Sequence, residues 1–326
     1  MTERQPHGAL KDLSPDKVKR NSQNPRLFFR SEEAETLMTS IRRYGIQVPI
    51  TVYEEEDHFV LIDGERRWRC ALKLNLKRIP ALVQPKPTEL NNLLLMFNIH
   101  ALREQWDYLT IANKLPEVIN LYKLENGDED PNEQDLSELT GLTRGQIRRC
   151  RLLFSLPPSY RRMLEKELEL PKQKQRLSED FFIEMERSLK TIQKRLPSVV
   201  SDMNDVRDSL IKKFRDKTIN NITDFRKLSK IATSVSTIGI QEQKARRAIS
   251  QIFNADNGIS IDEIFAEQFE TRYDERKIGI NIDSIYEYLD ATLESNDHTS
   301  IGPSVRSKLL NLREMIERVL GADDAI

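Results

Sequence analysis

Residues 58–74 read HFVLIDGERRWRCALKL, and the change of period inside this stretch decides the fold. His58 to Ile62 is an apolar run of strand character, Asp63-Gly64 breaks it, and Glu65 to Leu74 continues with Trp68, Ala71, Leu72 and Leu74 at helical spacing. A strand that passes through glycine into an arginine-rich helix brings backbone amides and guanidinium groups to one point. Glycine permits close approach of a ligand, the amides point out of the helix N-terminus, and adjacent Arg66 and Arg67 can hold a polyphosphate. Salt bridges to the acidic turn Glu54 to Asp57 explain the same charges, and on the residues alone both readings stand.

Working outward, Ser31 can cap a helix whose first turn carries Glu32 and Glu33, whose apolar face is Leu37, Met38 and Ile41, and which Gly45 can stop. Val48 to Tyr53 is a β-branched run that pairs with His58 to Ile62 as a hairpin, and Ile79 to Val83 resumes strand character. Met1 to Arg30 is expected to be loop-rich, because Ser14-Pro15 and Asn24-Pro25-Arg26 disfavour helix. The first hundred residues therefore form a small mixed α/β domain.

From Thr88 onward the period is helical. Thr88 to Phe97 and Trp106 to Leu124 are two helices, the second expected to kink or break at Pro116. Seven acids and no base lie between Glu125 and Glu138; then Gly141 to Arg162 holds six arginines and no acid. Across this inversion residues 132–156 read NEQDLSELTGLTRGQIRRCRLLFSL. Leu136 and Leu139 mark one helix, Gly141 can make the left-handed turn, and Thr143 can cap a second helix with Ile147, Cys150 and Phe154 facing inward. This is the helix-turn-helix pattern. Its second helix would present Arg144, Gln146, Arg148, Arg149 and Arg151 to phosphates and base edges of a major groove, arginine suiting guanine and glutamine adenine. Arg161 and Arg162 extend the stripe. An ordinary helical hairpin with a solvated face is the alternative, but such faces usually mix both signs of charge.

Composition narrows the classes further. The chain has 326 residues, enough for two or three domains. Its 51 basic and 52 acidic residues give a net charge of -1, so attraction to a polyanion must come from local clustering. The longest apolar run, Leu93 to Phe97, cannot span a bilayer, and Met1 to Gly8 lacks a secretory core, so a cytosolic protein is expected. Cys70 and Cys150 cannot build a disulfide framework, and the four histidines have no zinc spacing.

The two motifs in this order resemble the ParB/RepB family of partition proteins, through Asn24-Pro25-Arg26, Gly45 to Val52, Gly64 to Ala71 and the helix-turn-helix ending in Arg151 to Pro157, about residues 10 to 165 in all. The resemblance implies an α+β N-terminal domain of ParB and sulfiredoxin type, then an all-α helix-turn-helix domain and a helical C-terminal region, with boundaries at 1–100, 101–176 and 177–326. It implies a homodimer that grips double-stranded DNA through Thr143 to Leu153, with Arg161 and Arg162 beyond, and closes as a clamp when CTP with Mg2+ binds. By this resemblance Gly64, Glu65, Arg66 and Arg67 touch the phosphates, Ile50 and Thr51 lie beside the nucleoside, and Asn98 and Arg103 belong to a second phosphate motif. There the family's acid is replaced by Phe97, so at most a weak CTPase is expected, with Glu104 or Glu65 as the substitute near Mg2+. A ParA-like ATPase partner, plasmid or chromosome partition and a nucleoid-associated location are implied in the same way.

Two other readings remain. One is a nucleotide-independent helix-turn-helix regulator whose α/β domain only dimerises; the other is a phosphoryl-transfer enzyme on the sulfiredoxin-like fold, for which the arginine stretch would have no purpose. Cys70 lies along an amphipathic helix and reads as a structural thiol. His100 reads as a packing or surface residue. Beyond Pro171 the helices are amphipathic, with Phe182, Met185, Leu189, Ile192 and Leu196 on one face. The final stripe of Leu309, Leu312, Ile316 and Val319 is expected to pack inside the C-terminal region, with dimerisation as the alternative.

Overall fold

A computed structural model describes residues 8–24, 31–100, 107–294 and 301–321. Its contacts divide the chain into two units, residues 1–229 and 230–326.

The first unit begins with the α+β domain. Strands β1 (Ala9–Leu13), β2 (Val18–Lys19), β3 (Ile50–Glu55), β4 (His58–Asp63) and β5 (Ile79–Gln84) form one sheet in the order β1-β5-β3-β4-β2, interleaved with helices α1 (Ser31–Tyr44) and α2 (Glu65–Lys73). β3 and β4 are the expected hairpin, antiparallel with Glu55 opposite His58, and the turn narrows to Glu56-Asp57, where Glu56 adopts φ 52°. β5 runs parallel to β3, and its other edge pairs antiparallel with β1. Leu13, Val18, Ile50, Val52, Leu61, Ala71, Ile79, Ala81 and Val83 bury one face of this sheet with Trp68 and Leu76 packed on them. Tyr53, Val60 and Ile62 bury the opposite face under Leu95 and Ile99 of helix α3 (Glu89–His100).

Two expectations are corrected here. The lead-in is not all loop, since it supplies β1 and β2. Helix α4 (Tyr108–Glu125) continues through Pro116, so the chain does not break there; Leu109, Ile111, Ala112, Leu115 and Val118 are buried on either side of the lost amide.

Helices α5 (Glu133–Thr140), α6 (Arg144–Phe154) and α7 (Pro158–Glu169) follow, then α8 (Glu179–Arg195) and α9 (Met203–Arg215). On α8 the predicted face of Phe182, Met185, Leu189 and Ile192 is buried, as is Leu196 just past its end. A buried bidentate pair joins α8 to α9: Arg207 donates to both Glu186 oxygens at 2.6 and 3.0 Å. Helix α10 (Phe225–Ile238) passes from the first unit into the second, which adds α11 (Glu242–Phe253), α12 (Ile261–Phe265), α13 (Thr271–Glu294) and α14 (Pro303–Leu320). The last stripe does not pack as expected: Leu312, Ile316 and Val319 are exposed, as are Ile278, Ile282, Tyr286 and Leu293 on α13.

Candidate functional site

The break between β4 and α2 has one residue in left-handed backbone, Gly64 at φ +94°, and a Cβ there would lie 2.7 Å from Ile50 Cγ2. Glycine is required twice over, by conformation and by space. No side chain caps α2, because Asp63 turns instead to Arg67. The N–H groups of a first helical turn point out of the helix N-terminus, which here lies at the Gly64 turn. Trp68 ties this helix to the lead-in by donating its indole N–H to Pro15 O at 2.9 Å.

The charged side chains of the box divide into framework and surface. Glu65 is buried; its Oε1 accepts from Arg69 Nε and Nη2 at 2.9 and 2.6 Å and pairs with Arg20 at 3.2 Å, while Oε2 accepts from Asn24 Nδ2 at 2.6 Å. Both oxygens are held by donors, which opposes the expected place beside Mg2+. Arg67, expected on phosphate, donates to Val48 O, to Pro49 O at 2.7 Å and to Asp63 Oδ2 at 2.8 Å, clamping the entry of β3. Ile50 is wholly buried in the sheet core and offers no side chain to a nucleoside, whereas Thr51 beside it is half-buried. Phe97 is wholly buried too, so the position of the missing acid is core in this chain. Asn98 is exposed and donates to Leu94 O one turn back at 3.0 Å. Arg103 and Glu104 lie outside the described residues. Gly64 and Glu65 are buried, and Arg66 beside them is half-exposed.

In the second motif the expected Gly141 turn and Thr143 cap are present. Asn132 and Asp135 form a capping box at α5, Gly141 ends that helix at φ 73°, and Thr143 with Gln146 forms a second box at α6. Ile147, Cys150 and Leu153 face inward; Phe154 does not, being 43 % exposed beneath the Arg161 guanidinium at 5.3 Å. Gln146, expected to read adenine, instead accepts from the Thr143 amide at 2.8 Å to complete the cap.

The arginines do not stand clear of carboxylates, as the single-sign run suggests they would. Arg148 Nε lies 2.8 Å from Glu133 Oε2, Arg151 Nη1 lies 3.7 Å from the other oxygen, and Arg144 donates to Gln134 at 2.8 Å. Arg148 remains 64 % exposed, and pairs of this kind contribute about 0–1 kcal/mol, so phosphate can replace the carboxylate. Arg149 is different: it donates to Asp180, sits 4.7 Å above the Tyr108 ring and buries its Nε, so it braces α6 against α4 and α8. Arg161 likewise buries its Nε, and Arg162 is exposed.

Beneath Arg149, Glu179 accepts from the Leu109 amide at 2.7 Å at the start of α4. Burial, with Asp107 and Asp180 nearby, pushes its carboxyl up to about 7 against the opposing pull of the Leu109 and Tyr108 amides. Burial and Glu179 together push the Cys150 thiol up to about 12, and burial raises Cys70, so both thiols stay protonated and structural. Sequence reasoning missed Glu133, Asp180 and Tyr108 as arginine partners; the acid run before Gly141 signalled the first, and nothing local signalled the other two.

Among the described residues no helix is long and apolar enough to cross a membrane, and no group of His, Cys, Asp and Glu is placed to hold a metal. Residues 1–98 match the model of the ParB N-terminal domain. The chain is 29 % identical over 157 residues to a probable chromosome-partitioning protein ParB of Coxiella burnetii, covering 48 % of this chain and 51 % of that protein. It is 29 % identical over 163 residues to a nucleoid occlusion protein of Bacillus pumilus, covering 49 % and 53 %. Among solved structures it is similar to the C-terminally truncated chromosome-partitioning protein ParB from Caulobacter crescentus complexed with CTP-gamma-S, at 25 % identity and TM-score 0.28, covering 48 % of this chain and 87 % of that one. The chain spans about half the length of the curated relatives it matches. Residues 1–98, the part of the chain that carries the Gly64 box, are thus similar to the ParB N-terminal domain.

Proposed function

We propose that the chain is a site-specific DNA-binding protein of the partition type, reading duplex DNA through α6 and responding to CTP through the Gly64 box. The observation that carries the DNA reading is the doubly capped helix pair α5–α6, which holds Arg144, Arg148 and Arg151 on an exposed face with one carboxylate between the last two. Arg149 and Gln146 position that helix rather than read bases. Support from kinship is the ParB N-terminal domain and the chromosome-partitioning relatives over the first half of the chain.

For the nucleotide, the uncapped start of α2 and Arg66 suit phosphate oxygens, while Arg67 and Glu65 hold the turn in shape. Bound CTP would supply a polyanion, and Mg2+ would sit on its phosphates rather than on Glu65. Any switching requires the nucleotide to favour one conformation over another. With Phe97 in the core, hydrolysis is expected to be weak at most. A homodimer is the assembly that the exposed apolar faces of α13 and α14 suit. A ParA-like ATPase as partner and residence on the nucleoid belong to the same reading.

One observation favours a nucleotide-independent regulator: Glu65 and Arg67 are already satisfied by the protein. Titration calorimetry with CTP, ATP and GTP separates the two, since absence of heat with all three while DNA binding persists establishes the regulator. Sequencing the DNA that co-purifies with the chain, with and without CTP, tests site specificity; uniform genomic coverage in both samples refutes it.

A further inference from the structure

Helix α14 is 18 residues long, and all of them are exposed apart from half-buried Leu309. A helix draws most of its stability from packing an apolar face, so a face left this open is built to be covered. Val305, Leu309, Leu312, Ile316 and Val319 follow at spacings of four, three, four and three, the seam of a helix that packs on another helix. On α13, Ile278, Ile282, Tyr286, Leu289 and Leu293 form a second stripe at four, four, three and four. Ile278, Ile282, Tyr286 and Leu293 are 56 to 69 % exposed there, and Val305, Leu312, Ile316 and Val319 are 38 to 67 % exposed on α14. These side chains leave on the order of 800 Å² of apolar surface uncovered, the share that one partner gives to an interface of standard size. We infer that the second unit pairs with that of a second copy, α13 of each chain lying against α14 of the other, so that an acidic edge meets a basic one. This rests on the homodimer proposed above and names its contact.

The charges beside the two stripes are opposite. From Ile278 to Glu294, α13 carries Asp283, Glu287, Asp290 and Glu294 and no lysine or arginine. Each acid directly follows a residue of the stripe, so the four line one edge of it. On α14, Arg306 and Arg313 directly follow Val305 and Leu312, and Lys308 precedes Leu309. Three cations thus flank that seam, while Glu314 falls on the far side of the helix. Asp283 and Asp290 are seven residues apart, as are Arg306 and Arg313, so two ion pairs can form in one register. Arg313 pairs with Glu317 of its own helix at 3.7 Å, and at 70 and 69 % exposure that contact is loose enough to exchange. Both halves of the match lie on one chain. A two-fold dimer makes the α13–α14 contact twice, whereas α13 on α13 or α14 on α14 sets like charges together. A foreign partner would explain one edge or the other, not the equal spacing of both. The apolar stripes supply the affinity, and the edges choose the partner.

Sedimentation equilibrium of the full chain, without nucleotide or DNA, tests the contact, and the parent chain should run as a dimer. Arg306→Asp with Arg313→Asp gives both stripes an acidic edge, and Asp283→Lys with Asp290→Lys gives both a basic one. All four positions are exposed, and each double change should weaken self-association by at least about tenfold. Mixed in equal amounts, the two variants should form a dimer with one chain of each kind, which also shows that neither is merely misfolded. Three results overturn the inference: a monomeric parent, a dimer as tight in both variants as in the parent, or variants that mixing does not bring together. The DNA and nucleotide reading is judged separately, by the heat released when CTP or duplex DNA is added to the same chains, and it can stand when this contact falls.

Discussion

Two arginine-rich helix starts sit in the first unit, and they use their charge in opposite ways. At α2 the helix has no side-chain cap, while its arginines are occupied: Arg67 grips two carbonyls and Asp63, and Arg69 grips buried Glu65. At α6 Thr143 and Gln146 form a capping box, while Arg148 and Arg151 rest on one partly exposed carboxylate. One helix start has no side-chain cap and uses Arg67 and Arg69 for architecture; the other has a capping box and keeps Arg148 and Arg151 on a partly exposed carboxylate. The lesson is that the number and burial of an arginine's existing partners, not its place in a motif, tell whether it is available to a ligand.

The contrast is broken most directly at Glu65. Glu65→Ala leaves Arg20, Arg69 and Asn24 facing a part-buried gap, and should lower unfolding free energy by about 3 kcal/mol in chemical denaturation; a loss as small as that of a surface pair would show that the network is not architectural. Next in size, Gly64→Ala forces a left-handed residue with a Cβ against Ile50, at about 1–3 kcal/mol. It should also abolish CTP binding in calorimetry, whereas unchanged affinity would place the nucleotide elsewhere.

Glu179 sharpens the comparison from the α6 side. Because its folded carboxyl is raised to about 7, the stability it contributes is complete below the ordinary carboxylate range and is lost as pH rises through about 7. Glu179→Gln should therefore flatten the fall of the melting temperature between pH 5 and pH 8, an effect on the order of 1–2 kcal/mol; a parallel curve for variant and parent would remove Glu179 as the cause. The smallest effect on stability belongs to Arg148→Ala, within about 0.5 kcal/mol. The same change should lower the salt dependence of DNA binding by roughly 0.9 in log-log slope. A large loss of stability with an unchanged slope would turn Arg148 from a surface contact into framework.

Sequence patterning exposed the parts of this architecture that depend on short-range rules. The β4–Gly64–α2 passage, Gly141 and Thr143 follow from the loss of period and from the residues that turns and caps require. Gln146 was equally legible as the third residue after a capping threonine, yet its amide also suits adenine, and only geometry chose between the two. β1 stayed hidden because four of its five residues are exposed, so no alternation marks it; its pairing with β5 is a backbone event. Phe154 was misplaced by extending the helical face one turn too far, where Leu153 closes the core and the helix ends. Asp180 was out of reach for a different reason, since it meets Arg149 across 31 residues of chain.

Glu133 touches both Arg148 and Arg151. A phosphate that engages either guanidinium through the nitrogen facing Glu133 displaces that shared carboxylate, so this part of the contact with a polyanion is an exchange and not a simple gain. Such an internal competitor trims the grip on any duplex alike, cognate or not, and leaves a larger share of the discrimination to whatever the rest of the face can distinguish.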